Sequence, residues 1–190
     1  MLTDYALKEG QVNGLTAALT RTRDYTLVSV VLDNCQVTDS MCATLLDALL
    51  LQKHLQEFVY KRNAFGEQAL EALRPILELA PPHNLHELRL VNCETQPRIM
   101  QDLLRTLAES ESNHLRSLAL VQMKINFGLH DLASLVASSD CLADLDLSSN
   151  DCLPQHFAPL LKAIAHNKTL QIVNLSWNLL LDRVAQTEDA

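Results

Sequence analysis

One spacing recurs along this chain and limits what it can fold into. The eleven-residue pattern Leu-x-x-Leu-x-Leu-x-x-Asn/Cys-x-Leu is approximated by LVSVVLDNCQV from Leu27, LQEFVYKRNAF from Leu55 and LHELRLVNCET from Leu85. It continues with LRSLALVQMKI from Leu115, LADLDLSSNDC from Leu142 and LQIVNLSWNLL from Leu170. The starts lie 28, 30, 30, 27 and 28 residues apart. A weaker copy, LTDYALKEGQV, begins at Leu2 and makes seven units. A fixed period of this length is the mark of a solenoid, and it takes precedence over any residue-by-residue reading.

Each unit changes period halfway. Around its fourth and sixth positions apolar residues alternate, as in Val30-x-Leu32 and Leu145-x-Leu147, which is the pattern of a half-buried strand. Beyond the ninth position the spacing becomes helical. Leu70, Leu73 and Leu77 recur at three and four residues in one unit, and Leu160, Leu161 and Ile164 do so in another. A unit therefore reads strand, turn, helix, return loop. One such unit cannot bury its own apolar side, but stacked units share a core. Stacking them in the same sense makes a parallel sheet. Helices are about 10 Å wide against about 5 Å for strands, so the stack curves with its strands inside. The expected fold is an α/β solenoid: a single domain over residues 1–190 with units starting near 2, 27, 55, 85, 115, 142 and 170.

Composition narrows the functional classes. Leucine supplies 39 of 190 residues and glycine only 4, which suits a solenoid better than a turn-rich barrel. The charge is −8, with 15 Lys plus Arg dispersed among 23 acids, so no clustered basic face for nucleic acid is expected. No apolar run approaches the roughly 18 residues of a membrane span. The start, MLTDYALKEG, lacks the basic-then-apolar order of a secretory signal. The five cysteines are odd in number and never spaced C-x-x-C, which points to a reducing compartment, cytoplasmic or nuclear, rather than a disulfide framework or zinc site.

These units resemble leucine-rich repeats of the long, ribonuclease-inhibitor-like subclass, over essentially the whole chain. The resemblance implies a horseshoe with a parallel sheet on its concave face and helices on its convex face. It also implies that ninth-position Asn and Cys side chains turn inward to satisfy loop backbone. Here that position carries Cys35, Asn63, Cys93, Met123, Asn150 and Asn178, with Gly10 at the aligned place in the weak first unit. Met123 departs from the pattern, since a thioether accepts only weakly and donates nothing. Met41, Ala69, Ile99, Leu129 and His156 stand where relatives often have a glycine in the first helical turn. Pro75 is expected to kink or shorten its helix, and Pro81 and Pro82 to end it. Both ends of the core are expected to be incompletely capped, because the first strand starts at Leu2 and the last unit runs out after Leu181.

No reaction site emerges. Asp144 and Asp146, two apart on a strand, point to one face and could pair for acid–base work or a hard cation; consensus repeat strands commonly carry solvated Asp there. The histidines His54, His83, His86, His114 and His166 fall in return loops without a second ligand at metal-like spacing. Cys35 and Cys93 lie two units apart, roughly 10 Å, beyond the roughly 7 Å reach of a disulfide. Cys42 and Cys141 are the thiols to watch for redox activity. No catalytic, metal-binding or cofactor-binding residue is assigned.

What remains is the concave surface, formed by the third, fifth, seventh and eighth positions. It carries a basic patch (Lys61, Arg62, Arg89), an apolar strip (Val91, Ala119, Val121), acids beyond (Asp144, Asp146) and, near the end, Trp177. Trp and Arg are frequent binding anchors. The expected role is non-catalytic: a protein-interaction module or scaffold subunit, within a larger complex, that binds a protein through this face or its exposed ends. Some relatives with such long repeats activate GTPases, so a GTPase-activating or other regulatory role is the alternative, on fold analogy alone.

Overall fold

The computed structural model describes residues 1–21, 27–78, 85–110, 114–125 and 128–179. Among them seven strands alternate with six helices. The strands are β1 (Leu2–Thr3), β2 (Ser29–Asp33), β3 (Glu57–Lys61), β4 (Glu87–Val91), β5 (Ser117–Val121), β6 (Asp144–Asp146) and β7 (Ile172–Asn174). The helices are α1 (Glu9–Arg21), α2 (Asp39–Leu49), α3 (Glu67–Glu78), α4 (Pro97–Glu109), α5 (Leu129–Ser138) and α6 (Pro154–His166). All strands are parallel and neighbours in sequence are neighbours in the sheet. This is the leucine-rich-repeat solenoid, α/β throughout.

The register explains why the units hold together. Ser29 pairs with Glu57, Glu57 with Glu87, Glu87 with Ser117, Ser117 with Asp144 and Asp144 with Ile172. The same rung position therefore stacks on itself along the sheet. Alternate residues point into the core: Phe58, Tyr60, Leu88, Leu90, Leu118, Leu120, Leu145 and Leu147 are all buried. First-position Leu55, Leu85, Leu115 and Leu142 close one side of it, and the helices close the other through residues such as Leu46, Leu73, Leu103, Leu132 and Phe157. Truncating one of these leucines to Ala costs about 2–5 kcal/mol in a packed core. In the third unit Phe58 stacks on Tyr60, whose hydroxyl donates to the Ala64 carbonyl at 2.8 Å.

Three sequence expectations need correction. Leu2 pairs with Leu32, so it occupies the sixth position of the first unit and not its start. Tyr5 then takes the ninth position, and Gly10 lies inside α1. Pro75 lies inside α3, which is described as far as Glu78. Leu161 is 48% exposed, and the inward residues of α6 are Phe157, Leu160 and Ala163. His166 belongs to the last turn of α6 rather than to a loop. Pro81, Pro82, His83 and the segment after Leu179 lie outside the described residues.

Each unit leaves its strand through a left-handed residue at the eighth position: Asp4, Asn34, Arg62, Asn92, Gln122, Ser149 and Trp177 all have φ between 48° and 61°. That conformation costs roughly 1–2 kcal/mol in most L-residues, less in Asn and Asp. Four of the seven units adopt it with a residue of no such preference, which is why the sequence alone did not reveal it.

Candidate functional site

The concave face is built on β2 to β6, whose backbones are held on both edges, so its side chains stand on a stiff base. Of the three expected basic residues, the two arginines are engaged by carboxylates. Arg62 donates to Asp33 at 2.7 Å and stands 3.7 Å from Asp4; that hydrogen bond raises its pKa further. Arg89 is paired with Glu87 and lies 3.7 Å from Asp144. Burial opposes the Arg89 charge, but the carboxylates of Glu87, Asp144 and Asp146 outweigh it and raise its pKa. Lys61 is half-buried beside them. The ion pairs of Arg62 and Arg89 thus span several rungs.

The acidic pair is equally engaged. Asp144 takes the Arg89 ion pair and a hydrogen bond from Ser117 at 3.4 Å. Asp146 accepts from the Ser148 backbone N–H at 2.9 Å. These contacts use Oδ2 of Asp144 and Oδ1 of Asp146, so each carboxylate is tied to its own neighbour on the sheet face. Among the described residues no three His, Cys, Asp or Glu side chains group as a metal site would need.

The apolar strip is shorter than expected. Val91 and Val121 are half-buried at the seventh position, whereas Ala119 is buried at 2% exposure and Val59 at 4%. Small fifth-position side chains sit below their larger neighbours and form a floor, not a contact surface. Trp177 stands apart from all of these. It is 83% exposed, and the left-handed turn at its own position lifts it off the sheet.

Four of the five thiols are enclosed by the core. Cys35, Cys42, Cys93 and Cys152 are buried and Cys141 partly so, with no disulfide. Burial pushes Cys42 up to about 12 and Cys93 and Cys152 up to about 11, which disfavours the thiolate that redox chemistry needs. His86 moves down from its ordinary pKa, first through burial and then through Arg116 and His114.

Two hollows had no sequence signal, because each is assembled from several rungs. One, of about 450 Å³, opens at the carboxyl ends of β2 to β4 between Gln36, Arg62, Asn92 and Glu94. The other, of about 320 Å³, lies at the first rung between Leu2, Leu15, Leu19, Val30 and Leu45. No described helix is long and apolar enough to cross a membrane.

The sequence matches no family model. Among curated proteins it is similar to a mouse protein, ribonuclease inhibitor, at 34% identity over 98 residues. That stretch is 52% of this chain and 21% of the mouse protein, so the likeness spans about a fifth of that relative's length.

Proposed function

We propose that this chain is a non-catalytic protein-binding module whose concave sheet face receives a protein partner. The observation that carries the reading is Trp177: a large aromatic 83% exposed at the rim of a rigid parallel sheet. Burying such a ring on a partner gains apolar contact, and the fixed backbone beneath it loses little ordering entropy. Val91 and Val121 supply further apolar contact, and Lys61, Arg62, Arg89, Asp144 and Asp146 supply a polar rim. The similarity to a protein named for inhibiting ribonuclease supports a binding rather than a catalytic use of the fold. Membership of a larger complex and a cytoplasmic or nuclear location belong to the same proposal. The GTPase-activating alternative keeps only the fold analogy that suggested it.

A second mode, contact through the ends of the solenoid, is favoured by apolar exposure there. Met1 and Leu15 are 89% and 38% exposed at one end, Ile172 and Leu179 60% and 53% at the other. The test for both is affinity purification from the native source followed by lysine crosslinking and mass spectrometry. The concave reading expects crosslinks at Lys61 and loss of the partner in Trp177→Ala. Crosslinks confined to Lys8, or to lysines of the convex side, would reject it.

A further inference from the structure

The convex side carries a groove between α5 and α6 that the concave reading leaves unused. From α5, His130, Ala133, Ser134 and Ala137 line it at offsets of three, four and seven residues. From α6, Pro159, Lys162, Ala163 and His166 repeat the same offsets. Residues so spaced share one helical face, so two ridges flank a trough of about 330 Å³. Its floor is small and apolar, with Ala133 and Ala163 each 8% exposed. Its rims are exposed at His130, Ser134, Lys162 and His166. Small side chains between two ridges are the seat a third helix requires.

Charge selects the occupant. From Pro154 to Gln171 the sequence holds no Asp or Glu, in a chain of net charge −8. By contrast α3 carries Glu67, Glu71 and Glu78 against Arg74 alone, and α4 balances Asp102 and Glu109 with Arg98 and Arg105; Asp131 of α5 lies outside the trough lining. No carboxylate lines the trough, while Lys162 and the imidazoles of His130 and His166 do. A second copy pairing groove to groove would set Lys162, His130 and His166 against their own counterparts rather than against carboxylates.

We propose that this groove docks an acidic amphipathic helix of a partner protein, with small or apolar residues in the trough and carboxylates toward Lys162, His130 and His166. The probe is a synthetic helical peptide with Ala and Leu at its seam positions and Glu beside them; a control peptide has Lys in place of Glu. In anisotropy titrations the chain should bind the Glu peptide at least about tenfold more tightly than the Lys peptide. Lys162→Glu should erase that preference, Ala137→Trp should block the trough, and Trp177→Ala should change neither. Equal binding of the two peptides, or full binding by Ala137→Trp, overturns the proposal. So does self-association of the wild-type chain that Ala137→Trp abolishes, which would make the occupant a second copy. Because Trp177→Ala is read separately, failure here leaves the concave reading standing.

Discussion

The loops beyond the strands come in two kinds, and the ninth-position side chain of the following rung decides which. Where that side chain is Asn, the loop before it closes on an amide. Asn63 accepts from the Cys35 and Val37 N–H groups and donates to the carbonyls of Leu32 and Lys61. Asn150 accepts from Met123 N–H and donates to Leu120, Leu147 and Ser148. Asn178 accepts from Asn150 and Cys152. In all three cases the preceding loop has a left-handed residue at its tenth position: Gln36, Lys124 and Asp151. Where the side chain carries sulfur, the route is different. Before Cys93 the loop turns to main chain, with Phe65 N–H donating to Glu94 O, Glu94 N–H to Asn63 O, and an Ala64–Glu94 bridge. Before Met123 only a 3.4 Å contact from Cys93 N–H to the thioether replaces the amide. Neither Ala64 nor Glu94 is left-handed. An amide can take two donors and give two of its own, so it holds a strained turn; a thiol or thioether cannot, and the backbone relaxes into pairing.

The sharpest way to break this comparison is to remove one amide. Asn150→Ala takes the partner from the Met123 N–H and the Leu120 carbonyl, while Leu147 and Ser148 keep Asn178 and Gln122 as donors, and we expect a loss of about 2–4 kcal/mol in chemical denaturation. Cys93→Ala removes one weak S–H donor, shared between the carbonyls of Tyr60 and Val91 at 3.3 and 3.6 Å, and should cost only about 1 kcal/mol. Equal losses would refute the distinction. Next in size is a carboxylate version of the same cross-rung service. Asp39 accepts from the N–H groups of Gly66, Gln68 and Ala69, and so caps the neighbouring helix α3. A Cβ at Gly66 would stand 2.6 Å from the Asp39 carboxylate, so Gly66→Ala should displace it and cost about 2 kcal/mol, read as a lower denaturation midpoint.

Much of this was legible in advance, for a definite reason. The stacking of Leu55, Leu85, Leu115 and Leu142 follows from period alone, and so do the parallel sheet and the inward ninth position once the resemblance is granted. The first unit was misregistered because Leu2 and Leu7 fit the spacing, while only pairing with Leu32 reveals the offset. Two kinds of information were hidden. Ion pairing across rungs consumed Arg62 and Arg89, and no linear spacing tells which carboxylate a long side chain will reach. Small residues such as Ala119 became floor because their neighbours stand taller. The α5–α6 trough escaped notice because its two faces lie on different units.

The two kinds of rung should also separate in alkali, since amides do not titrate and thiols do. Burial raises Cys93 from 9.0 to about 11 and Cys42 to about 12. The folded chain thus keeps protons that the unfolded chain releases. Their stabilisation is fully present below about pH 9 and is lost as pH rises through the folded values. Between pH 8 and 10.5 the wild type should lose about 1–2 kcal/mol more than Cys93→Ala. Matching pH profiles for the two proteins would show that this thiol is not held protonated by the fold.

The smallest effect tests the weakest link of the sulfur side. Met123 is buried and its thioether is the acceptor for Cys93 N–H. Met123→Leu keeps volume and apolarity but offers no acceptor, so packing is nearly conserved while one N–H loses its partner. A poor acceptor at that distance cannot contribute much, and the expected loss is about 0.5 kcal/mol. Amide exchange gives the clearer reading, because the Cys93 N–H alone should exchange faster while Met123 N–H, held by Asn150, stays protected. Unchanged exchange at Cys93 would mean that the surrounding backbone, and not the sulfur, closes this loop, and the main-chain route before Cys93 would then describe both sulfur rungs.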